Sequence, residues 1–574
     1  MRFHFPVIII DEDFRSENAS GLGIRALAKA LEDERMEVLG VTSYGDLSSF
    51  AQQQSRASAF ILSVDDEEFA GEEAESTIAE LRAFVEEIRF RNRDIPIFLY
   101  GETRTSRHIP NDVLRELHGF IHMYEDTPEF IARNIKREVN AYLDSLPPPF
   151  FRALTHYAAD GSYSWHCPGH SGGVAFLKSP VGQMFHQFFG ENLLRADVCN
   201  AVEELGQLLD HTGPVAASER NAARIFNCDH LFFVTNGTST SNKIVWHATV
   251  APNDVVVVDR NCHKSVLHAI IMTGALPVFL MPTRNHYGII GPIPKAEFEW
   301  ANIQKKIAAH PFIRDKGIKP RVLTITQSTY DGIMYNVEEI KQELDGKIDT
   351  LHFDEAWLPH AAFHDFYGDY HAIGADRPRC SESMVFSTQS THKLLAGLSQ
   401  ASQILVQDAQ QTKLDRDVFN EAFLMHTSTS PQYAIIASCD VAAAMMEEPA
   451  GTALVEESIA EALDFRRAMR KVGTELGLDW WFKVWGPADL SEEGIEERDA
   501  WMLKAGEAWH GFGDLAPGFN LLDPIKATII TPGLNMEGDF AEEIGIPAAI
   551  VTKYLAEHGI IVEKTGLYSF FIMF

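Results

Sequence analysis

A set of short, unbroken aliphatic runs constrains this chain most. VVVVD (255–259), RVLTIT (321–326), TLHFDE (350–355), MVFSTQ (384–389) and QILVQ (403–407) place apolar side chains at consecutive positions, not alternate ones. Neighbouring strand residues face opposite sides of a sheet, so such a run needs cover on both faces. An α/β domain follows, with a parallel sheet between helical layers. A second set, PVIII (6–10), AFILSV (59–64) and IPIFLY (95–100), alternates with amphipathic stretches at 22–34 and 74–90. That pattern predicts a flavodoxin-like or response-regulator-like unit over residues 1–130.

A phosphorelay receiver would need a phosphoacceptor aspartate and a lysine at fixed strand ends. Asp65 follows AFILSV, but Gly101 and Glu102 follow IPIFLY where the lysine is needed. The acidic run Asp65, Asp66, Glu67, Glu68 therefore reads as a solvated loop, and the unit as an interaction domain. Residues 130–150 read as a helix ended by Pro147, Pro148 and Pro149, which mark a boundary. The expected division is a wing domain at 1–130, a linker at 131–155, a main domain at 156–440 and a smaller α+β region at 441–574. That last region starts with the helical AEALDFRRAMRKV and continues into KATIITPG and HGIIVEKTGLYSFFIMF, which read as strands. An apolar strand is a poor terminus, so the α+β region is expected to be cut short.

The formal net charge is -32. Such a surface repels nucleic acid and anionic membranes and favours cationic ligands. No apolar run reaches bilayer length, and MRFHFPVIIIDEDF lacks the features of a signal peptide. A cytoplasmic protein is the expectation. The six cysteines are scattered without a CxxC, so neither a zinc site nor a disulfide framework is indicated, and no metal is expected.

Ligands of open α/β sheets bind beyond the carboxyl ends of the strands. Four groups of residues fall there. In TNGTSTSNK, Gly237, Thr238 and Ser239 precede a helical stretch and form either a phosphate cradle or an ordinary turn and N-cap. In VVVVDRNCHKS, His263 is either a face for a flat ring or a hydrogen-bonded loop histidine. Asp354 in LHFDEAW is either a helix cap or a buried carboxylate that needs a cationic partner. Lys393 in FSTQSTHKLLAGLSQ, beside Ser390 and His392, is either a snorkelling lysine or a desolvated, nucleophilic amine. In this order they supply what pyridoxal phosphate (PLP) requires: a phosphate grip, a face for the ring, an anion for the pyridine nitrogen and a Schiff-base lysine.

The sequence resembles the bacterial inducible-type ornithine/lysine/arginine decarboxylases. The resemblance rests on YSWHCPGHSGG (163–173), FFGENLLRAD (188–197), LLDHTGP (208–214), TNGTSTSNK, DRNCHKS, STYDGIMYN (328–336), HFDEAW, QSTHKLLAGLSQ, TSTSPQY (427–433), WHGF (509–512), LDPIK (522–526) and VEKTGLYSF (562–570), in order along the chain. It implies a flavodoxin-like wing, an aspartate-aminotransferase-like (type I) PLP domain with a parallel-rich sheet, and a partial α+β C-terminal domain. It implies decarboxylation of a basic L-amino acid to an amine and CO₂, with uptake of a proton and an acid-resistance or polyamine role. A homodimer with shared active sites is implied, in places built into larger rings.

By the same resemblance Lys393 carries the Schiff base, Asp354 pairs with the pyridine nitrogen and His263 stacks on the ring. Thr238, Ser239, Ser390 and His392 hold the phosphate, Trp357 lies beside the cofactor, and Lys393 or His392 returns the proton. Glu191 and Asp210 fall near the dimer interface and active site. Cys167, Gln207, Gln327 and His360 depart from the family pattern, where Thr or Ala, Ser, Asn and Tyr are expected. VEKTGLYSF favours lysine and ornithine members and DEAW the arginine branch, so lysine ranks first, arginine second and ornithine third. Two rivals remain open: another type I PLP reaction such as transamination, for which no carboxylate-gripping arginine stands out, and a non-catalytic assembly subunit.

Overall fold

A computed structural model describes residues 3–42, 56–65, 69, 74–123, 125–477, 482–487, 490–491, 494–495, 497–533 and 545–574. Asp66, Glu67 and Glu68 of the expected acidic loop lie outside these residues. The chain divides into two compact units, Met1–Pro148 with Glu447–Ala453, and Pro149–Met446 with Leu454–Phe574.

Among the described residues the first unit holds five parallel strands, β1 (Val7–Ile10), β2 (Val38–Val41), β3 (Ala59–Val64), β4 (Ile97–Gly101) and β5 (Gly119–His122). Their order, β2-β1-β3-β4-β5, is that of flavodoxin-like folds. The unbroken runs divide by residue parity. Ile8, Ile10, Phe60 and Leu62 pack with Leu81, Phe84 and Ile88 on one face. Val7, Ile9, Ala59 and Ile61 pack with Ile24, Leu27, Leu31 and Ile135 on the other. The helix Pro128–Ser145 starts at Thr127, whose side chain accepts from Phe130 N, and has Pro at its first position. It ends before the proline run, and Pro149 opens the next helix, Pro149–Asp160.

The second unit contains β6 (His230–Val234), β7 (Val255–Asp259), β8 (Leu276–Leu280), β9 (Val322–Thr326), β10 (Ile333–Tyr335), β11 (Thr350–Asp354), β12 (Met384–Gln389), β13 (Ser402–Gln407), β14 (Lys483–Val484), β15 (Asn520–Leu522), β16 (Lys526–Ile530), β17 (Lys564–Thr565) and β18 (Ser569–Met573). Seven form one sheet in the order β6-β13-β12-β11-β9-β7-β8. Strands β8, β7, β9, β11 and β12 are parallel, and every residue of β7, β11 and β13 is buried. QILVQ corrects the parallel expectation, because β13 runs antiparallel to both β12 and β6. The link from β12 to β13 contains only the four-residue helix Thr391–Leu394, too little for a crossover, so the chain turns back. A four-stranded antiparallel sheet, β14-β16-β18-β17, completes the unit.

Candidate active site

The sheet registers align the carboxyl ends of β6, β7, β9, β11 and β12 on one edge. Asp354 pairs with Thr326 and Thr388, and Ser402, the first residue of β13, pairs with Val234 at the end of β6. Three elements from distant stretches of sequence therefore meet at this edge.

The first is a hydroxyl cradle. Gly237 adopts φ +73°, and a Cβ on it would meet no atom within 4 Å, so it faces open space. It precedes the helix Thr238–Thr249, whose N-terminus presents N–H groups and a partial positive charge. Thr238 Oγ1 lies 2.7 Å from Ser390 Oγ and 3.1 Å from Ser402 Oγ. Ser402 Oγ lies 2.7 Å from Ser241 Oγ and donates to the Gln389 carbonyl at 2.9 Å. Ser239 is exposed on the same first turn.

The second is a carboxylate at the end of β11. Asp354 is 4% exposed. Its Oδ2 accepts from Asn242 Nδ2 at 2.9 Å and its Oδ1 from the Ala356 N–H at 3.2 Å. Burial raises its pKa, while Asn242, Lys393 and His263 pull the other way. Behind it runs a chain of buried side chains whose direction follows from their donors. Trp246 Nε1 donates to Thr324 Oγ1 (3.1 Å), and Thr324 meets His352 Nδ1 (3.1 Å). His352 Nε2 meets Thr388 Oγ1 (3.0 Å), and Thr388 donates to Asn242 Oδ1 (2.7 Å). The indole is a donor only, so the Thr324 hydroxyl donates to His352 Nδ1, and the neutral ring donates from Nε2. Burial pushes His352 down to about 3, which keeps it neutral. Every bond of the chain points toward Asp354 and orients the Asn242 amide on it.

Lys393 is the third element. Its Nζ sits 4.1 Å from the centroid of the buried Trp357 ring. Burial lowers its ammonium to about 8, Asp354 and Glu563 resist, and Lys526 adds to the lowering. An amine with such a pKa is partly neutral near physiological pH and hence nucleophilic. The Trp357 carbonyl accepts from Lys526 Nζ at 2.6 Å. Lys526 is fully buried and also reaches Ser328 Oγ (2.6 Å) and Asp523 Oδ2 (3.0 Å). Strand β16 thus anchors the aromatic wall under the amine. On its other side, Tyr330 lies 5.0 Å from Trp357, and Lys564 lies 5.3 Å over Tyr330 and 3.2 Å from Asp331.

The remaining sequence candidates take varied places. His263 caps the helix Lys264–Thr273: its Nδ1 accepts from Ser265 N (3.2 Å) and lies 2.8 Å from Ser265 Oγ, while the residue stays exposed. His392 Nδ1 donates to the Ala401 carbonyl at 2.7 Å. Glu191 pairs with Arg195 at 2.9 Å and Asp210 is exposed; no hydrogen bond or ion pair among the described residues joins either to Lys393. Gln327 is buried and donates to the carbonyls of Tyr335 (2.6 Å) and Tyr370 (2.8 Å). His360 Nε2 lies 3.3 Å from Asp523 Oδ2. Gln207 is half-buried and Cys167 exposed. Asn242, His352, Thr388 and Lys526 were not singled out from sequence. The available signals were polar residues at helix spacing, Thr238, Ser241 and Asn242, and a lone histidine or lysine in an apolar strand.

Comparison with known proteins decides the family. The profile "Orn/Lys/Arg decarboxylase, major domain" matches residues 148–574, and "Orn/Lys/Arg decarboxylase, N-terminal domain" matches residues 19–142. The chain belongs to the Orn/Lys/Arg decarboxylase family. It is 50% identical to lysine decarboxylase LdcA of Pseudomonas aeruginosa, over 99% of this chain and 76% of that protein. It is 38% identical to the biodegradative arginine decarboxylase of Escherichia coli, over 99% and 77% respectively. The solved structure of lysine decarboxylase A from Pseudomonas aeruginosa matches with a TM-score of 0.92 at 49% identity, covering 100% of this chain and 76% of that one.

As a member of this family the chain is a PLP-dependent amino-acid decarboxylase with the type I fold expected from its motifs. The side chains at the sheet edge fit the cofactor. The open ground beyond Gly237 with its hydroxyls suits a phosphate, Asp354 suits a protonated ring nitrogen, and Lys393 suits an aldehyde.

Proposed function

We propose that this decarboxylase acts on L-lysine first, arginine second and ornithine third, releasing CO₂ and the corresponding amine. The observation that carries the substrate order is the 50% identity to a lysine decarboxylase over nearly the whole chain, against 38% to an arginine decarboxylase.

When bound, PLP supplies the electron sink for the bond broken at Cα. The side chains supply the rest. Thr238, Ser239, Ser390 and His392 grip the phosphate at the helix N-terminus, and Asp354, oriented by Asn242, holds the ring nitrogen protonated. His263 covers the ring, and Trp357 lies against the amine end of the site. Lys393, with its ammonium lowered to about 8, would hold the cofactor aldehyde as a neutral amine. Lys393 would also return a proton to Cα; His392 Nε2 is the alternative, since its Nδ1 is committed to Ala401. Each turnover thus takes up one proton, consistent with an acid-resistance or polyamine role for a cytoplasmic enzyme.

The working unit is proposed to be a homodimer with shared sites, a base for larger rings. An apolar face supports it: Tyr163 is 92% exposed and Trp165 96%, with Val181, Met184 and Phe188 nearby in sequence and also exposed. Large apolar side chains left this exposed are the kind a partner subunit covers. The wing over residues 1–130, the linker at 131–155, the PLP domain at 156–440 and the α+β region from 441 remain the proposed functional division. CO₂ release from lysine, arginine and ornithine by the PLP-loaded protein tests the reading. Greater release from arginine overturns the substrate order. Bound PLP with no release from any of the three overturns the reading and favours an assembly subunit.

A further inference from the structure

Two cysteines far apart in sequence have sulfurs that nearly touch. Cys167 Sγ and Cys199 Sγ are 3.2 Å apart, and Cys199 Sγ donates to the Cys167 carbonyl at 3.0 Å. Closing to the disulfide bond length of about 2.0 Å requires a shift of only about 1 Å. The two segments are already clamped side by side. His170 Nε2 donates to Asp197 Oδ2 at 3.0 Å while its Nδ1 accepts from Gly173 N, and Arg195 donates to the Ala158 carbonyl at 3.1 Å. Ordering the sulfurs therefore needs little further loss of chain freedom.

The pair is also set apart by contact. Cys167 is exposed, and Cys199, 2% exposed, lies against it. Burial raises the Cys199 thiol as it raises those of Cys228, Cys262, Cys380 and Cys439, but among the described residues only Cys199 has a second cysteine sulfur in contact. An exposed cysteine with a second sulfur in contact has the layout of a peroxidatic and a resolving thiol.

We propose that Cys167 and Cys199 are a reversible redox pair, in which a hydroperoxide oxidises Cys167 and Cys199 resolves it as an intrachain disulfide. In the first step the Cys167 thiolate attacks a peroxide oxygen, the O–O bond breaks, and the departing hydroxide or alkoxide takes up a proton. Sulfur loses two electrons and peroxide gains them, leaving a sulfenic acid. In the second step Cys199 sulfur attacks Cys167 sulfur, the S–O bond breaks, and hydroxide leaves with the Cys199 proton as water. A dithiol reverses the change by thiol–disulfide exchange and leaves as its own disulfide. In a reducing compartment such a bond is transient, so it acts as a sensor and not as a staple. The ring it closes carries Val181, Met184 and Phe188 of the exposed apolar face, so oxidation would fix that surface.

The test uses the PLP-loaded protein treated with hydrogen peroxide, then denatured, alkylated and mapped by mass spectrometry. The expected result is a cross-linked peptide joining Cys167 to Cys199, loss of alkylation at both, and full recovery with dithiothreitol. Cys167→Ser, a surface change, should abolish the cross-link and leave Cys199 alkylatable; Cys199→Ala should leave Cys167 to run on to sulfinic acid. The proposal is overturned if wild-type Cys167 is over-oxidised while Cys199 still alkylates. It is equally overturned if the disulfide joins other cysteines, or if neither thiol reacts.

Discussion

Asp11 and Asp354 stand at the carboxyl ends of buried parallel strands, β1 in the small sheet and β11 in the large one, and both are almost fully buried. Burial raises the pKa of each. Their surroundings differ. Asp354 has Asn242 and Ala356 on its two oxygens, a directed chain of hydrogen bonds behind it, and Lys393 within electrostatic reach. Asp11 lines a cavity of about 140 Å³ with Glu12 and Asp13, whose charges raise it further. Ser63 is its main relief, and neither carboxylate oxygen has a partner at hydrogen-bonding geometry among the described residues. A strand end offers a position for chemistry; the donors assembled around the carboxylate decide whether it holds a ligand's charge or only carries a desolvation cost.

The largest break in that comparison comes from removing the amine within electrostatic reach of Asp354. Lys393→Ala should cut the rate of CO₂ release by a thousandfold or more, an order typical of a lost covalent catalyst, and should abolish the visible absorbance of the lysine–cofactor linkage. An unchanged rate would remove Lys393 from the mechanism. Asp354→Asn keeps the shape and removes the charge. It should lower kcat by about 10²–10³-fold with PLP still bound, the size of loss seen when one preorganised electrostatic group is removed. A loss below tenfold would mean that the strand-end carboxylate of the large sheet is as idle as that of the small one.

The positions of these two residues were readable because their signals are local. Asp354 ends an unbroken apolar run, and Lys393 follows the run MVFSTQ within a few residues, so both mark strand ends. The core strands were readable for the same reason. Direction was not: QILVQ looks alike either way, and only the short link before it turns β13 back. The edge strand β8 was hidden by Pro277, which breaks the pattern yet is tolerated at an edge. Asn242, His352, Thr388 and Lys526 were hidden differently. Their roles exist only as hydrogen bonds between elements far apart in sequence, and nothing in the local pattern separates them from helix and strand filler.

Lys526 extends the comparison to a third buried carboxylate. Lys526 and His360 hold Asp523 well below the usual carboxylate range despite complete burial. Lys526→Met would leave Asp523 without its main counter-charge and the Trp357 carbonyl without its donor. A cost of about 3 kcal/mol or more is expected, read as a lowered urea midpoint. Adding Asp523→Asn should recover part of it; no recovery would mean that packing and not charge is the cause. A smaller effect is expected within the chain behind Asp354. Thr388→Val removes the link between His352 and Asn242 and should cost roughly tenfold in kcat, consistent with one buried hydrogen bond. An unchanged rate would show that Asn242 orients on Asp354 without help.

The smallest effect belongs to Asp11, and its sign is opposite. Its folded pKa is raised, so the folded chain binds the proton more tightly than the unfolded chain. Ionised Asp11 therefore costs stability at neutral pH, and that cost fades as pH falls through the raised value and the group is protonated. Asparagine is neutral throughout. Asp11→Asn should melt roughly 1–3 °C above the wild type at about pH 7, with the difference closing toward about pH 4 and CO₂ release unchanged. Scanning calorimetry across that range, paired with the activity assay, measures both. A lower melting temperature would mean that the carboxylate has found a stabilising partner. A fall in activity would tie the small sheet's edge to the reaction and erase the distinction between the two strand ends.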